Sequence, residues 1–94
     1  MSTFDKNLEA VEASLFLSSN ELKKHNITVG ETRTSVKLEP RVWNVLKETA
    51  SAEGCSINDL CSFIYNRKGE DSSLASAIRV FLISYLHVKV QKNS

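Results

Sequence analysis

Apolar residues recur early in the chain at Phe4, Leu8, Val11, Leu15 and Phe16. These steps of three and four predict one amphipathic helix over residues 4–17. Ser18-Ser19-Asn20 interrupts it. Ser18 with Glu21 three positions later has the form of a capping box, which predicts a short second helix reaching Lys24. Leu8, Leu15 and Leu22 stand seven apart, but three positions are too few for a coiled coil. Residues 26–29 are β-rich, and Gly30 marks a bend or bulge. Over residues 32–38 the period becomes two. Thr34, Val36 and Leu38 fall on one side, and Arg33, Ser35 and Lys37 on the other.

Pro40 then changes the period again, because it suits the first turn of a helix, where its missing N–H costs nothing. Val42, Trp43, Leu46 and Ala50 follow at helical spacing, and Gly54 ends that helix as a left-handed cap. Trp43 lies on the core face, and its indole N–H needs a partner there. Ser56 with Asp59 caps the next helix, whose stripe is Ile57, Leu60, Cys61, Ile64 and Tyr65. Arg67-Lys68-Gly69 closes it. Leu74, Ala75, Ile78, Phe81, Leu82, Tyr85 and Leu86 predict a third amphipathic helix, with residues 88–94 fraying into a polar tail. Residues 1–24 thus read as a helical extension and residues 25–94 as the domain.

One strand cannot satisfy its own backbone groups. The simplest mate for residues 32–38 is the same strand of a second copy, antiparallel about a two-fold axis. A slip of one residue would bury Arg33 and Lys37, so the register is well specified. The expected fold is mainly α: a homodimer with an intermolecular two-stranded antiparallel ribbon, a third C-terminal helix and an N-terminal helical extension.

Composition adds little until it is divided. The 94 residues, 41% of them hydrophobic, make one small domain with a net charge of +1. That total points to no partner. Residues 1–31 carry a net −2 and residues 32–94 a net +3, so the basic excess begins with the alternating strand. No apolar run approaches the ~18 residues of a membrane span, and the N-terminus lacks the form of a secretory signal. Two cysteines, Cys55 and Cys61, make no disulfide scaffold, and their spacing is not that of a zinc site. The expectation is a soluble, reduced, cytoplasmic protein without cofactor or metal.

Strand, helix, Gly-x-Ser turn and helix, in that order, form the pattern of ribbon-helix-helix proteins. The stretch "ITVGETRTSVKLEPRVWNVLKETASAEGCSINDL" closely resembles the core of one bacterial branch of that superfamily, and "SSLASAIRVFLISYL" resembles its closing helix. The resemblance covers roughly residues 27–87 and rests on "RTSVKLEP-x-x-W" together with "GCSINDL". It implies a homodimer that lays its two-stranded ribbon in the DNA major groove, as the methionine and Arc repressors do. Residues 1–24 lie outside it.

The outward strand face agrees with that chemistry. Alternate strand residues stand ~6.6–6.8 Å apart, about two base steps of ~3.4 Å. Arg33 and Lys37 can donate to guanine O6 and N7, and Ser35 is adaptable, so these three are the expected base contacts. Ser56, Ile57 and Asn58, at a helix N-terminus, are the expected phosphate contacts. Arg41 is better placed for phosphate or solvent. The bland reading of Arg33, Ser35 and Lys37 is a solvated strand face.

Cys55 precedes a helix N-terminus, the setting of a redox-sensitive thiol, but no second feature supports that role. Cys61 falls on the apolar stripe. His25 and His87 sit near predicted helix ends, and no third group completes a Cys/His nucleophile. With no glycine-rich phosphate loop and no paired carboxylates, an enzyme is not expected. The sequence points to a transcriptional regulator, a repressor, acting on double-stranded DNA. The competing reading keeps the fold and makes it an antitoxin-like adaptor that engages a protein through residues 1–24.

Overall fold

Residues 32–38 do form a strand, but its mate lies in the same chain. The computed structural model describes residues 7–12 and 21–92. Its elements are α1 (residues 7–12), β1 (Lys23–Val29), β2 (Thr32–Leu38), α2 (Pro40–Ala52), α3 (Ile57–Arg67) and α4 (Leu74–Lys92). β1 and β2 pair antiparallel, from Val29 opposite Thr32 to Lys23 opposite Leu38. The premise that β2 lacks a partner within its own chain is therefore corrected. The helix expected to reach Lys24 is also corrected, because Lys23 and Lys24 open β1. Of the helix predicted over residues 4–17, residues 7–12 are helical. Its remaining positions and the Ser18 cap lie outside the described residues.

The hairpin follows from its turn. Two residues, Gly30 and Glu31, join the strands. Gly30 has φ +62°, and among the described residues no side-chain-bearing residue has positive φ. Positive φ at only the first turn position is the type II′ pattern, whose twist matches that of the strands and which favours glycine there. Gly30 is thus the turn residue of a hairpin rather than a bulge.

The inner face of the hairpin closes the core. Ile27 and Val29 of β1 and Val36 and Leu38 of β2 are buried against Leu46 of α2, Leu60, Cys61 and Ile64 of α3, and Ile78 and Leu82 of α4. Each such apolar side chain contributes about 1.5–3 kcal/mol when fully buried. The turn between α2 and α3 is well satisfied. Beyond α2, Cys55 N–H donates to the Ala50 carbonyl at 3.0 Å and Gly54 N–H to that of Ser51 at 3.1 Å, with Gly54 at φ +70°. That is a Schellman motif, and it turns the chain into α3. At α3, Asp59 N–H donates to Ser56 Oγ at 3.0 Å and Ser56 N–H to Asp59 Oδ2 at 3.4 Å, the expected capping box. Glu39, at the junction of β2 and α2, accepts from Arg79 of α4 at 2.6 Å. This bond and the adjacent positive charge hold its carboxyl below the usual carboxylate range.

α4 departs from expectation in two ways. It continues through Val88 to Lys92, where a fraying tail was predicted. Its apolar residues also run all round: Leu74, Ile78 and Leu82 are buried, while Val80, Ile83 and Val90 are 63–70% exposed. Leu86 and, on α3, Tyr65 belong to the predicted stripes but stay exposed.

Two measurements check this packing. Leu46→Ala empties a fully buried site and is expected to lower stability by about 2–5 kcal/mol in urea denaturation. Burial pushes the Cys61 thiol up to about 11 from 9.0. The native state therefore holds that proton more tightly than the unfolded chain. The associated stability is whole below pH 9.0 and is lost as pH rises through about 11. At about pH 8, iodoacetamide should alkylate the half-buried Cys55 in the folded protein and reach Cys61 only on unfolding.

Candidate nucleic-acid interface

The register assigns the outward face of the hairpin residue by residue. Three cross-strand pairs stand on it: Lys24 with Lys37, Asn26 with Ser35, and Thr28 with Arg33. All six residues are exposed. Three are cations and three are neutral hydrogen-bonding groups, so this one face carries +3 in a chain whose total is +1. Ser35 Oγ donates to Asn26 Oδ1 at 2.9 Å, which fixes the central pair and leaves the Asn26 amide hydrogens pointing away as donors.

The backbone on the two hairpin edges can be read from one hydrogen bond. Thr28 N–H donates not across the hairpin but to Asn58 Oδ1 of α3, at 3.2 Å. Thr28 and Arg33 therefore form a non-hydrogen-bonded pair, and by alternation so do Asn26/Ser35 and Lys24/Lys37. Arg33, Ser35 and Lys37 consequently aim their backbone N–H and C=O groups at the outer edge of β2. That edge is a ready template for another strand.

β1 is held by the helices near both of its ends. Trp43 Nε1–H donates to the Lys23 carbonyl at 2.8 Å, which supplies the partner that the indole requires. His25 meets the Trp43 ring edge-on at 4.6 Å. Between this anchor and the Thr28–Asn58 bond lies a groove of about 450 Å³ over β1, α2 and α3.

The expected site residues divide into two groups. Arg33, Ser35 and Lys37 stand together on β2. Ser56, Ile57 and Asn58 stand at the start of α3, next to β1 rather than β2. The hydroxyl and N–H of Ser56 are both engaged by Asp59, whose carboxylate already occupies the helix N-terminus. Lys24, Asn26 and Thr28, the second row of the outward face, escape the sequence reading. Their signal was Gly30-Glu31 between the β-rich residues 26–29 and the alternating run 32–38, a two-residue hairpin loop.

The model of a family described as the ribbon-helix-helix domain matches residues 22–86, more than half of the chain. No curated protein matches the chain. The fold is similar to that of a solved structure, an uncharacterized protein from Bordetella pertussis Tohama I, with a TM-score of 0.67. The two are 23% identical over 88% of this chain and 73% of the other, a likeness of fold alone. The match begins one residue before β1 and takes in the hairpin, α2, α3 and α4 as far as Leu86, and the chain belongs to the ribbon-helix-helix domain family.

Proposed function

We propose that this protein is a homodimeric, sequence-specific DNA-binding regulator of the cytoplasm, a transcriptional repressor, that reads the major groove with β2. The observation that carries this reading is the outward face: exposed donors at alternate positions, three cations among six residues, and no acid. The family is one of DNA-binding and antitoxin-like regulators, and the strand spacing suits base steps.

The dimer supported by the geometry pairs β2 with its twin along the outer edge. The result is a four-stranded sheet with β1 on each flank. Strands lie ~4.8 Å apart, so the flanking strands are about 14 Å apart, slightly more than the ~12 Å width of the major groove. The two β2 strands would enter the groove, with Arg33, Ser35 and Lys37 as base contacts. The two β1 strands would lie over its walls, with Lys24 toward phosphate. Near the end of β2, Val42 and Val45 of α2 and Leu82, Ile83 and Leu86 of α4 line an apolar groove of about 240 Å³. The same twin would cover it.

A second reading, an adaptor that binds a protein through residues 1–24, draws support from Leu8 and Val11 of α1, which are 51% and 56% exposed. Removing residues 1–20 separates the two. A regulator keeps its dimer and its duplex affinity, whereas an adaptor loses its partner.

Two substitutions test the main reading. Ser35→Pro removes an N–H that faces the outer edge of β2, not β1, so the hairpin should persist. Sedimentation at micromolar concentration should show monomers, and a dimer that survives would exclude the β2 edge as the interface. Arg33→Ala should cost ~1–3 kcal/mol on a duplex selected from random sequence and relax preference at matching positions of both half-sites. Its thermal midpoint should stay near that of the wild type, because exposed strand charges contribute little to folding. An unchanged ratio of selected to scrambled binding would remove β2 as the reader.

A further inference from the structure

The groove beside β1 begins at the start of α3, where Ile57 and Asn58 line it, and adds two lysines that neither the hairpin face nor the α3 N-terminus accounts for. It is lined by Lys23 of β1 and Lys47 of α2, by the amides of Asn44 and Asn58, and by Trp43 and His25. Among the described residues no carboxylate lines it. A groove with two ammonium groups, four amide hydrogens and no acid is complementary to an anion. Lys23 and Lys47 are exposed, so their stems are free to swing over a bound group. The adjoining helix N-terminus is less suited, because Asp59 already holds a negative charge there.

We infer that this groove binds a phosphate of the duplex backbone. The inference rests on the DNA-binding reading above and adds a second contact surface to it. The ribbon geometry puts β1 over a groove wall, and the wall of a major groove is the sugar-phosphate chain. Asn26 both stands on the outward face and borders the groove, so the two surfaces share a residue. β2 specifies sequence, while β1 with Lys47 sets register and depth. A phosphate seated here also draws β1, α2 and α3 together, since Lys23, Lys47 and Asn58 come from those three elements.

The test is the salt dependence of duplex binding by wild type, Lys23→Ala, Lys47→Gln and, as a control on the far end of α4, Lys89→Ala. Each groove variant should weaken binding to selected and scrambled duplexes by the same several-fold factor. Each should also flatten the slope of log K against log salt by about 0.9, the release of one phosphate contact. Lys89→Ala should keep the wild-type slope. If the groove variants keep it too, on duplexes that the wild type binds, the groove holds no backbone phosphate and the β2 reading stands without it. If the wild type binds no duplex at all, both fall. Trp43 is the one tryptophan of the chain, so its emission also reports on the groove when pyrophosphate is added alone. A Lys47-dependent response to pyrophosphate, with duplex binding untouched by Lys47→Gln, would make this a free-phosphate site and overturn the backbone assignment.

Discussion

The pairing of β1 with β2 is the constraint on which the rest of this molecule depends. It aligns the outward side chains in cross-strand pairs and turns Ile27, Val29, Val36 and Leu38 onto the helices. It also leaves two edges of different character. On the β1 edge Asn58 takes the Thr28 N–H, and Trp43 ties down the Lys23 end of the strand. The β2 edge presents the backbone of Arg33, Ser35 and Lys37. The open β2 edge is a direction in which the sheet can grow, and growth by a two-fold axis stops after one addition.

Electrostatics follows the same geometry. A net charge of +1 says nothing about a partner, because it averages an acidic N-terminal part with a basic remainder. Folding sorts the charges further. It gathers Lys24, Arg33 and Lys37 on one face, Lys23 and Lys47 along the adjoining groove, and pairs Glu39 with Arg79. At ~8 Å of screening length in physiological salt, a local cluster matters more to an approaching polyanion than the distant total.

The sequence made the helical part of this fold legible because helix ends depend on local chemistry. Pro40, Gly54 and Ser56 with Asp59 each act within a few residues, and each stands where the pattern put it. The β2 face was legible for the same reason. β1 was not, because its first four residues, Lys23 to Asn26, are all polar and resemble a charged linker. What makes them a strand is tertiary: a carbonyl needed by Trp43, a ring edge beside His25 and a neighbour across the hairpin. The run of α4 through Lys92 was hidden by its polar C-terminal residues. Its buried residues Leu74, Ile78 and Leu82 lie on the stripe read from the sequence, while the apolar Val80, Ile83 and Val90 lie off it and stay exposed.

The closure of the hairpin by a two-residue turn has a consequence for the order of events as the chain folds. A ribbon made from two copies of a lone strand can form only after two chains have met, so folding and encounter are one step whose rate depends on concentration. Here the strands are adjacent in sequence, and a hairpin closes in about 1–10 μs. The outward face can therefore be assembled within one chain, before any encounter. In the proposed dimer, association would then be the docking of finished edges, and a newly made chain would not expose a β2 unpaired on both sides before it meets its twin.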